Sequence, residues 1–319
     1  MLGLAIGGSL GAASEGMLPA ESRRRYGEIR RYLPTRFSDS RAVGVPTGDT
    51  QLSFWTLEQL IIDRGLIPEN LARRFCEYRI RGMGNTTRAF TRNCKGTYVR
   101  WYRAGMNSLD NGALMRVAPV TVPHLCQQSP SPYADAAIAG MITHNSFASN
   151  ASSVAFVKML WHLLGMGATP EPRWWVDTFC STLEELEGNA HYAQHRLPLW
   201  KYTRKCVSSA LRRRLSVVEA CDEWGSGSNL FETLPSVLYI LAKHCASAEE
   251  AIVRVVNDTR DSDTMGAIVG AAVGALHGMK GLPQPWIDDL LGQTRLDVAD
   301  DGRVFKLLLQ SKRLFWLAG

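Results

Sequence analysis

Four glycines, Gly266, Gly270, Gly274 and Gly278, recur at every fourth position of an otherwise apolar stretch. Residues four apart share one face of an α-helix. The spacing therefore predicts a helix over 263–277 with a strip of bare backbone along one side. Met265, Ile268, Val269, Ala272, Val273 and Leu276 supply the apolar stripe of the same helix. Each glycine costs a helix roughly 1 kcal/mol relative to alanine. A run of them is sustainable only where another backbone packs very close, so this helix is expected at the centre of the fold. Just before it stands the acidic, hydroxyl-bearing segment Asp261-Ser262-Asp263-Thr264.

Apolar periodicity elsewhere is also helical. Leu52, Trp55, Leu57, Leu60, Ile61 and Ile62 cluster at three- and four-residue spacings, as do Val154, Phe156, Val157, Leu160, Leu163 and Leu164, and Val237, Leu238, Leu241 and Ala242. Period-two alternation is scarce, which predicts an all-α chain. With 319 residues, 45% hydrophobic and 21% charged, it can bury a full core. Loops are expected at Thr35–Gly48, Asn107–Gly112, Gln127–Tyr133, Ala168–Pro172, Glu223–Asn229 and Gly281–Pro285. None is long enough for a domain linker and no solenoid period is present, so residues 1–319 are expected to form one domain.

Several classes are excluded. No run of 18 apolar residues predicts a transmembrane helix, and the apolar start MLGLAIGGSLGAASEG lacks the basic flank of a signal peptide. The seven cysteines are odd in number and widely spaced, with no C-x-x-C pair, which argues against a disulfide framework or zinc site and for a cytoplasmic protein. Neither a P-loop nor a G-x-S-x-G elbow occurs. The net charge of +6 is uneven: residues 1–120 carry 18 basic and 10 acidic residues. Arg23-Arg24-Arg25 and Arg212-Arg213-Arg214 lack interleaved stacking aromatics and read as solvated surface, so no nucleic-acid partner is expected.

Polar clusters interrupt the apolar helices. Glu15 follows Gly7-Gly8-Ser9-Leu10-Gly11, and Thr47-Gly48-Asp49-Thr50 precedes a helix beginning near Gln51. Asn111-Gly112-Ala113-Leu114-Met115-Arg116 and Asp261–Thr264 are two more, with Gly84-Asn85-Thr86 and His144-Asn145 between them. Singly these are ordinary. An Asp or Thr before a helix most often caps it, and a lone histidine is usually a satisfied core residue. Together, two helix starts offering carboxylates and threonine hydroxyls make a hard, oxygen-only donor set that suits Mg²⁺, Mn²⁺ or Ca²⁺ and not zinc.

These clusters resemble, in order and separation, the motifs of the ADP-ribosylglycohydrolase family, which includes the dinitrogenase reductase-activating glycohydrolases and the ADP-ribosylarginine hydrolases. The family's opening G-L-A-x-G-D-A-L-G-x-x-x-E is similar to Gly3–Glu15. Its T-D-D-T is similar to Thr47-Gly48-Asp49-Thr50, its G-N-G-x-x-M-R to Asp110–Arg116, its T-H to Thr143-His144, and its G-G-D-x-D-T to Thr259–Thr264. The resemblance implies an orthogonal all-α bundle with two Mg²⁺ or Mn²⁺ ions in a central cleft, held by Thr47, Asp49, Asp261, Asp263 and Thr264.

It further implies hydrolysis of the bond between C1 of the distal ribose of ADP-ribose and a protein side chain, with Glu15 or Asp49 activating water. Asn85, Asn111, Gly112 and His144 would contact substrate. Arg260 is not part of the family pattern; its guanidinium fork suits bidentate contact with a phosphate, or a pairing with the acidic cluster. Arginine is the expected acceptor and serine the alternative. The expected partner is an ADP-ribosylated protein, with a role as an immunity protein against an ADP-ribosyltransferase toxin as one context. The sequence departs from the pattern at Gly8, at Gly48, which removes a carboxylate from one metal site, and at Thr259-Arg260. Those departures motivate a second reading: a catalytically impaired module that binds ADP-ribose or occludes a transferase.

Overall fold

The computed structural model describes residues 1–38, 40–95, 100–125, 131–192 and 195–293. Its helices are α1 (Leu2–Gly11), α2 (Pro19–Tyr26), α3 (Gly48–Asp63), α4 (Pro68–Glu77), α5 (Asn85–Cys94), α6 (Trp101–Ala104), α7 (Ser131–Met141), α8 (Phe147–Leu164), α9 (Pro172–Glu187), α10 (Leu199–Arg213), α11 (Val217–Trp224), α12 (Leu230–His244), α13 (Ala248–Asp258), α14 (Ser262–His277) and α15 (Gln284–Gln293). Extended pairing among the described residues is limited to isolated bridges, Met106 with His144, Asp110 with Asn229 and Tyr192 with His195. The chain is all-α. No helix among the described residues is long and apolar enough to cross a membrane.

The glycine-repeat helix is α14, beginning at Ser262. The helix expected near Gln51 is α3, which begins at Gly48. Other helices reach into expected loops: α9 opens on Pro172, a residue suited to a first helical turn, and α11 runs to Trp224. Of the expected loop Gln127–Tyr133, residues 127–130 lie outside the described residues, and Tyr133 belongs to α7.

The close backbone demanded by the α14 glycines is that of α1, which carries the same period in Gly3, Gly7 and Gly11. The two helices run antiparallel. A Cβ built on Gly266 would stand 2.5 Å from the Gly7 carbonyl oxygen, and one on Gly7 would overlap the Gly266 carbonyl. Gly3 meets the Gly270 carbonyl in the same way, and a Cβ on it would lie 3.3 Å from Gly274 Cα. Backbone oxygens thus occupy the volume that side chains would fill.

This zipper continues to the end of α1, where a Cβ on Gly11 would overlap the Ser262 carbonyl. The start of α14 is therefore pinned to the end of α1. Ser262 Oγ donates to the Gly11 carbonyl (3.0 Å) and lies 3.1 Å from Ser14 Oγ, while the Gly16 amide donates to the Arg260 carbonyl (2.9 Å). The turn bearing Glu15 is held beside Asp261 and Asp263. Around this pair the buried apolar residues form one cluster running from Leu4 to Leu290, with Phe54, Trp55, Phe156, Trp175 and Tyr239 wholly enclosed. A core of that extent fixes the paired helices against the rest of the chain.

Candidate active site

Two helix starts carry cap-type residues that do not cap. Ser146, Ser216, Asn229 and Ser247 cap their helices by accepting a bond from a backbone amide of the first turn. Thr47 at the start of α3 and Asp261 at the start of α14 do not. The expected capping role is absent at both, and their oxygens are spent elsewhere. Thr47 Oγ1 donates to Asp49 Oδ2 (2.9 Å), and Asn111 Nδ2 donates to Asp261 Oδ2 (2.6 Å) and to Thr233 Oγ1 (2.9 Å). The free amides and partial positive charge of each helix start favour carboxylates there.

Both starts face one cleft of about 610 Å³. The corner between α1 and α14 contributes Glu15, Arg260, Asp261, Asp263 and Thr264, and the start of α3 contributes Thr47, Gly48 and Asp49. Asn85 comes from the start of α5, Asn111 and Gly112 from the segment before the short 3₁₀ turn Leu114–Arg116, and His144 from the bend between α7 and α8. Every site residue nominated from the sequence lines this cleft. Thr264 Oγ1 donates to Asp49 Oδ1 (3.4 Å), joining its two main walls. Thr47, Asp49, Asp263 and Thr264 are buried, whereas Glu15 and Asn85 are exposed at the mouth.

The buried carboxylates oppose one another. Burial pushes Asp49 up to about 6, with the Thr47 hydrogen bond pulling down and the Glu15 charge pushing further up. Asp261 is raised to about 7 by burial, against the Asn111 hydrogen bond, with Asp49 and Glu15 adding repulsion. Asp263 is raised well above the usual carboxylate range by burial and by Asp49, Asp261 and Glu15. A bound divalent cation would relieve this crowding.

The donors fit a hard cation. They are all oxygens, and beside them Thr50 Oγ1 is buried without a hydrogen-bond partner among the described residues. The fit is one of chemistry and not of a closed cage: among the described residues no three His, Cys, Asp or Glu side chains already converge as a ligand group. Threonine hydroxyls would complete the set.

The departures from the motif pattern have structural counterparts. A Cβ on Gly48 would overlap the Arg81 carbonyl and stand 3.2 Å from Ile80 Cγ2. That segment is clamped to the start of α3, with the Arg81 amide donating to Gln51 Oε1 (2.8 Å) and Arg81 Nη1 to the Pro46 carbonyl (3.1 Å). Backbone therefore fills the space of the missing side chain. A Cβ on Gly8 would lie 3.1 Å from Thr47 Oγ1 and 3.5 Å from Thr50 Oγ1, so a side chain there would press on two hydroxyls of the site. Arg260 donates through Nε to the Gly16 carbonyl (3.3 Å), which braces the Glu15 turn.

His144 is 1% exposed, and burial followed by the charge of Arg116 lowers it to about 3, with Asp110 opposing. It is neutral at physiological pH. Sequence reasoning did not single out Phe37, Arg81, Met83, Ser228 or Glu232, which also line the cleft. The Ser226–Asn229 run was legible only as a loop. Its role depends on pairing with a distant segment: the Asn111 amide donates to the Ser228 carbonyl (2.8 Å) and the Leu230 amide to the Leu109 carbonyl (2.8 Å).

Comparison with known proteins gives a consistent picture. The family model described as ADP-ribosylglycohydrolase matches residues 1–313. The chain is 27% identical to the ADP-ribosyl-[dinitrogen reductase] glycohydrolase of Rhodospirillum rubrum, over 91% of this chain and 88% of that protein. It is 25% identical to ADP-ribosylhydrolase ARH3 of Mus musculus, over 79% of this chain and 75% of that protein. A solved structure described as an ADP-ribosylglycohydrolase-related protein complex superposes with a TM-score of 0.69 at 22% identity, covering 97% of this chain and 95% of the other.

Proposed function

The chain belongs to the ADP-ribosylglycohydrolase family, and on that basis we propose that it removes ADP-ribose from modified protein side chains, with arginine as the acceptor. The family supports hydrolysis of ADP-ribosyl glycosidic bonds. The observation that carries the reading to this chain is the gathering of Glu15, Asp49, Asp261 and Asp263 around one cleft, although they lie in three separate stretches of sequence.

The reaction breaks the bond from C1 of the distal ribose to the acceptor nitrogen and adds the hydroxyl of water to C1. The water's remaining proton leaves with the guanidine. Glycoside hydrolysis of this kind passes through a cationic sugar, which a cleft of buried carboxylates stabilises. Glu15, exposed at the mouth on a turn braced by Arg260, accepts a proton from the attacking water. Asp49 is oriented by Thr47 and Thr264 to hold that water or a ribose hydroxyl. Thr47, Asp49, Asp261, Asp263 and Thr264 would hold Mg²⁺ or Mn²⁺, which would supply Lewis-acid anchoring of the ribose hydroxyls. The Gly84–Asn85 start of α5 offers backbone amides suited to the diphosphate.

A modified target protein is the partner this chemistry requires, and an ADP-ribosyltransferase whose mark is reversed is the enzyme that makes such a target. The impaired-module reading is favoured by one observation, the occupation of the Gly48 side-chain space by the Arg81 carbonyl.

The test supplies ADP-ribosyl-arginine and ADP-ribosyl-serine peptides with Mg²⁺ or EDTA, to the wild type and to Glu15→Ala and Asp263→Ala. Release of ADP-ribose from the arginine peptide, lost in EDTA and in both variants, is expected. Binding of ADP-ribose without release from either peptide would select the module reading. Release that survives EDTA and Asp263→Ala would overturn the metal assignment.

A further inference from the structure

We infer that Arg116 and Thr143 lock His144 as the tautomer protonated at Nε2, so that the ring presents a permanent N–H donor to a substrate oxygen in the cleft. The nature of that oxygen, on ribose or diphosphate, rests on the function proposed above; the tautomer does not.

The argument is an accounting of protons. Arg116 is wholly buried, and its Nη2 donates to the Ala139 carbonyl (2.9 Å) and to Thr143 Oγ1 (2.6 Å), with the Gly140 carbonyl at 3.4 Å. A guanidinium only donates, so Thr143 Oγ1 is an acceptor in this pair. Thr143 is itself wholly buried, and its hydroxyl proton needs an acceptor. Among the described residues the partner left to it is His144 Nδ1, at 2.8 Å. The hydroxyl therefore donates to Nδ1, which must be unprotonated, and the neutral ring carries its proton on Nε2.

Two further features fit a fixed donor. The His144 backbone is clamped on both sides, with the Met106 amide donating to the Thr143 carbonyl (3.0 Å) and the Asn145 amide to the Met106 carbonyl (2.7 Å). The main chain that carries the ring is held in place. In front of its outer edge stands Gly112, where a Cβ would lie 2.6 Å from Cε1 and 2.7 Å from Nε2. Only a residue without a side chain fits against that edge, and both Gly112 and His144 line the cleft. Arg116 also rests over the Phe75 ring, 4.9 Å from its centroid, and burial followed by the Arg116 charge discourages a second proton on His144. Arg116 and Thr143 are thus positioning residues that act through His144.

Nitrogen NMR of protein labelled with ¹⁵N-histidine tests this without substrate, with His144→Gln identifying the signal by its loss. A proton on Nε2 and none on Nδ1, unchanged between about pH 6 and 8, is expected. Thr143→Val keeps the shape but removes the hydroxyl; it should mix the tautomers and weaken ADP-ribose binding by about tenfold. Thr143→Ser should restore both. ADP-ribose should shift the His144 Nε2–H signal.

A wild-type ring protonated on Nδ1 would overturn the inference. So would a Thr143→Val protein with unaltered tautomer and affinity, or bound ADP-ribose that leaves His144 unmoved. An Nε2–H tautomer in a protein that binds no ADP-ribose would instead overturn the proposed function and leave the Arg116–Thr143–His144 relay standing.

Discussion

Thr264 Oγ1 lies 3.4 Å from Asp49 Oδ1, so a hydroxyl at the start of α14 meets a carboxylate at the start of α3 across 215 residues of sequence. The contact exists because α14 is threaded against α1 by backbone packing at Gly7 and Gly266. The site is therefore as sensitive to that packing as to its own polar residues.

Gly7→Ala puts a methyl group into the Gly266 carbonyl, where no flexible side chain can yield. The expected cost is about 3 kcal/mol, the upper part of the usual overpacking range, with loss of activity as the Glu15 turn and the start of α14 separate. Gly167→Ala is the control, since a Cβ there meets nothing within 4 Å. Thermal unfolding of the two variants checks the contrast; equal midpoints would contradict the zipper.

The carboxylates set a pH dependence. Asp49, Asp261 and Asp263 are all raised in the folded protein, Asp49 to about 6 and Asp261 to about 7. The native state then binds more protons than the unfolded chain across the interval from the unfolded carboxylate range up to those values. Stability linked to these groups is fully present below that interval and is lost as pH rises through the folded values. In EDTA the melting temperature should climb as pH falls from neutral toward 5. With saturating Mg²⁺ or Mn²⁺ the climb should flatten, because cation and proton compete for the same oxygens. Melting curves across pH with and without metal read this directly.

Restoring the family carboxylate by Gly48→Asp should not improve the enzyme. The new side chain meets the Arg81 carbonyl and Ile80 Cγ2, so the segment held by Gln51 and Pro46 must move. A destabilisation of about 1–3 kcal/mol is expected, without a gain in turnover. Urea unfolding together with Mn²⁺ titration would show it; tighter Mn²⁺ binding at unchanged stability would contradict it.

The excess of basic residues in 1–120 lies in the part of the chain that supplies Glu15, Thr47, Asp49, Asn85 and Asn111 to the cleft. Steering of a diphosphate by such a field is screened by salt. Raising ionic strength should lower kcat/KM and leave kcat little changed. Steady-state kinetics over a salt series tests it, and a flat kcat/KM would return those arginines to ordinary surface charge.

The all-α class, the α14 helix and the oxygen donors at the starts of α3 and α14 were legible in the sequence, because each rests on local pattern; Phe37, Arg81, Met83, Ser228 and Glu232 of the cleft were not. A helix declares itself by its period, bare backbone by glycine, and a polar site by oxygen donors crowded at helix starts. The glycine period of α14 required a close backbone partner but could not name α1, since Gly3, Gly7 and Gly11 acquire meaning only when the two strips are laid antiparallel. Capping was the ordinary local expectation for Thr47 and Asp261, and tertiary contacts overrode it by giving their oxygens to Asp49 and Asn111.

What the sequence determined by itself was therefore the set of elements and the chemistry of the donors, properties carried by residues near one another in the chain. Only the tertiary structure decided which of these meet. It placed the Arg81 carbonyl in the room left by Gly48, stacked Arg116 and Thr143 behind His144, and closed the Asn111–Ser228 bridge that shapes one wall. These are relations between distant residues, settled by core packing and by the cost of leaving buried donors and acceptors without partners.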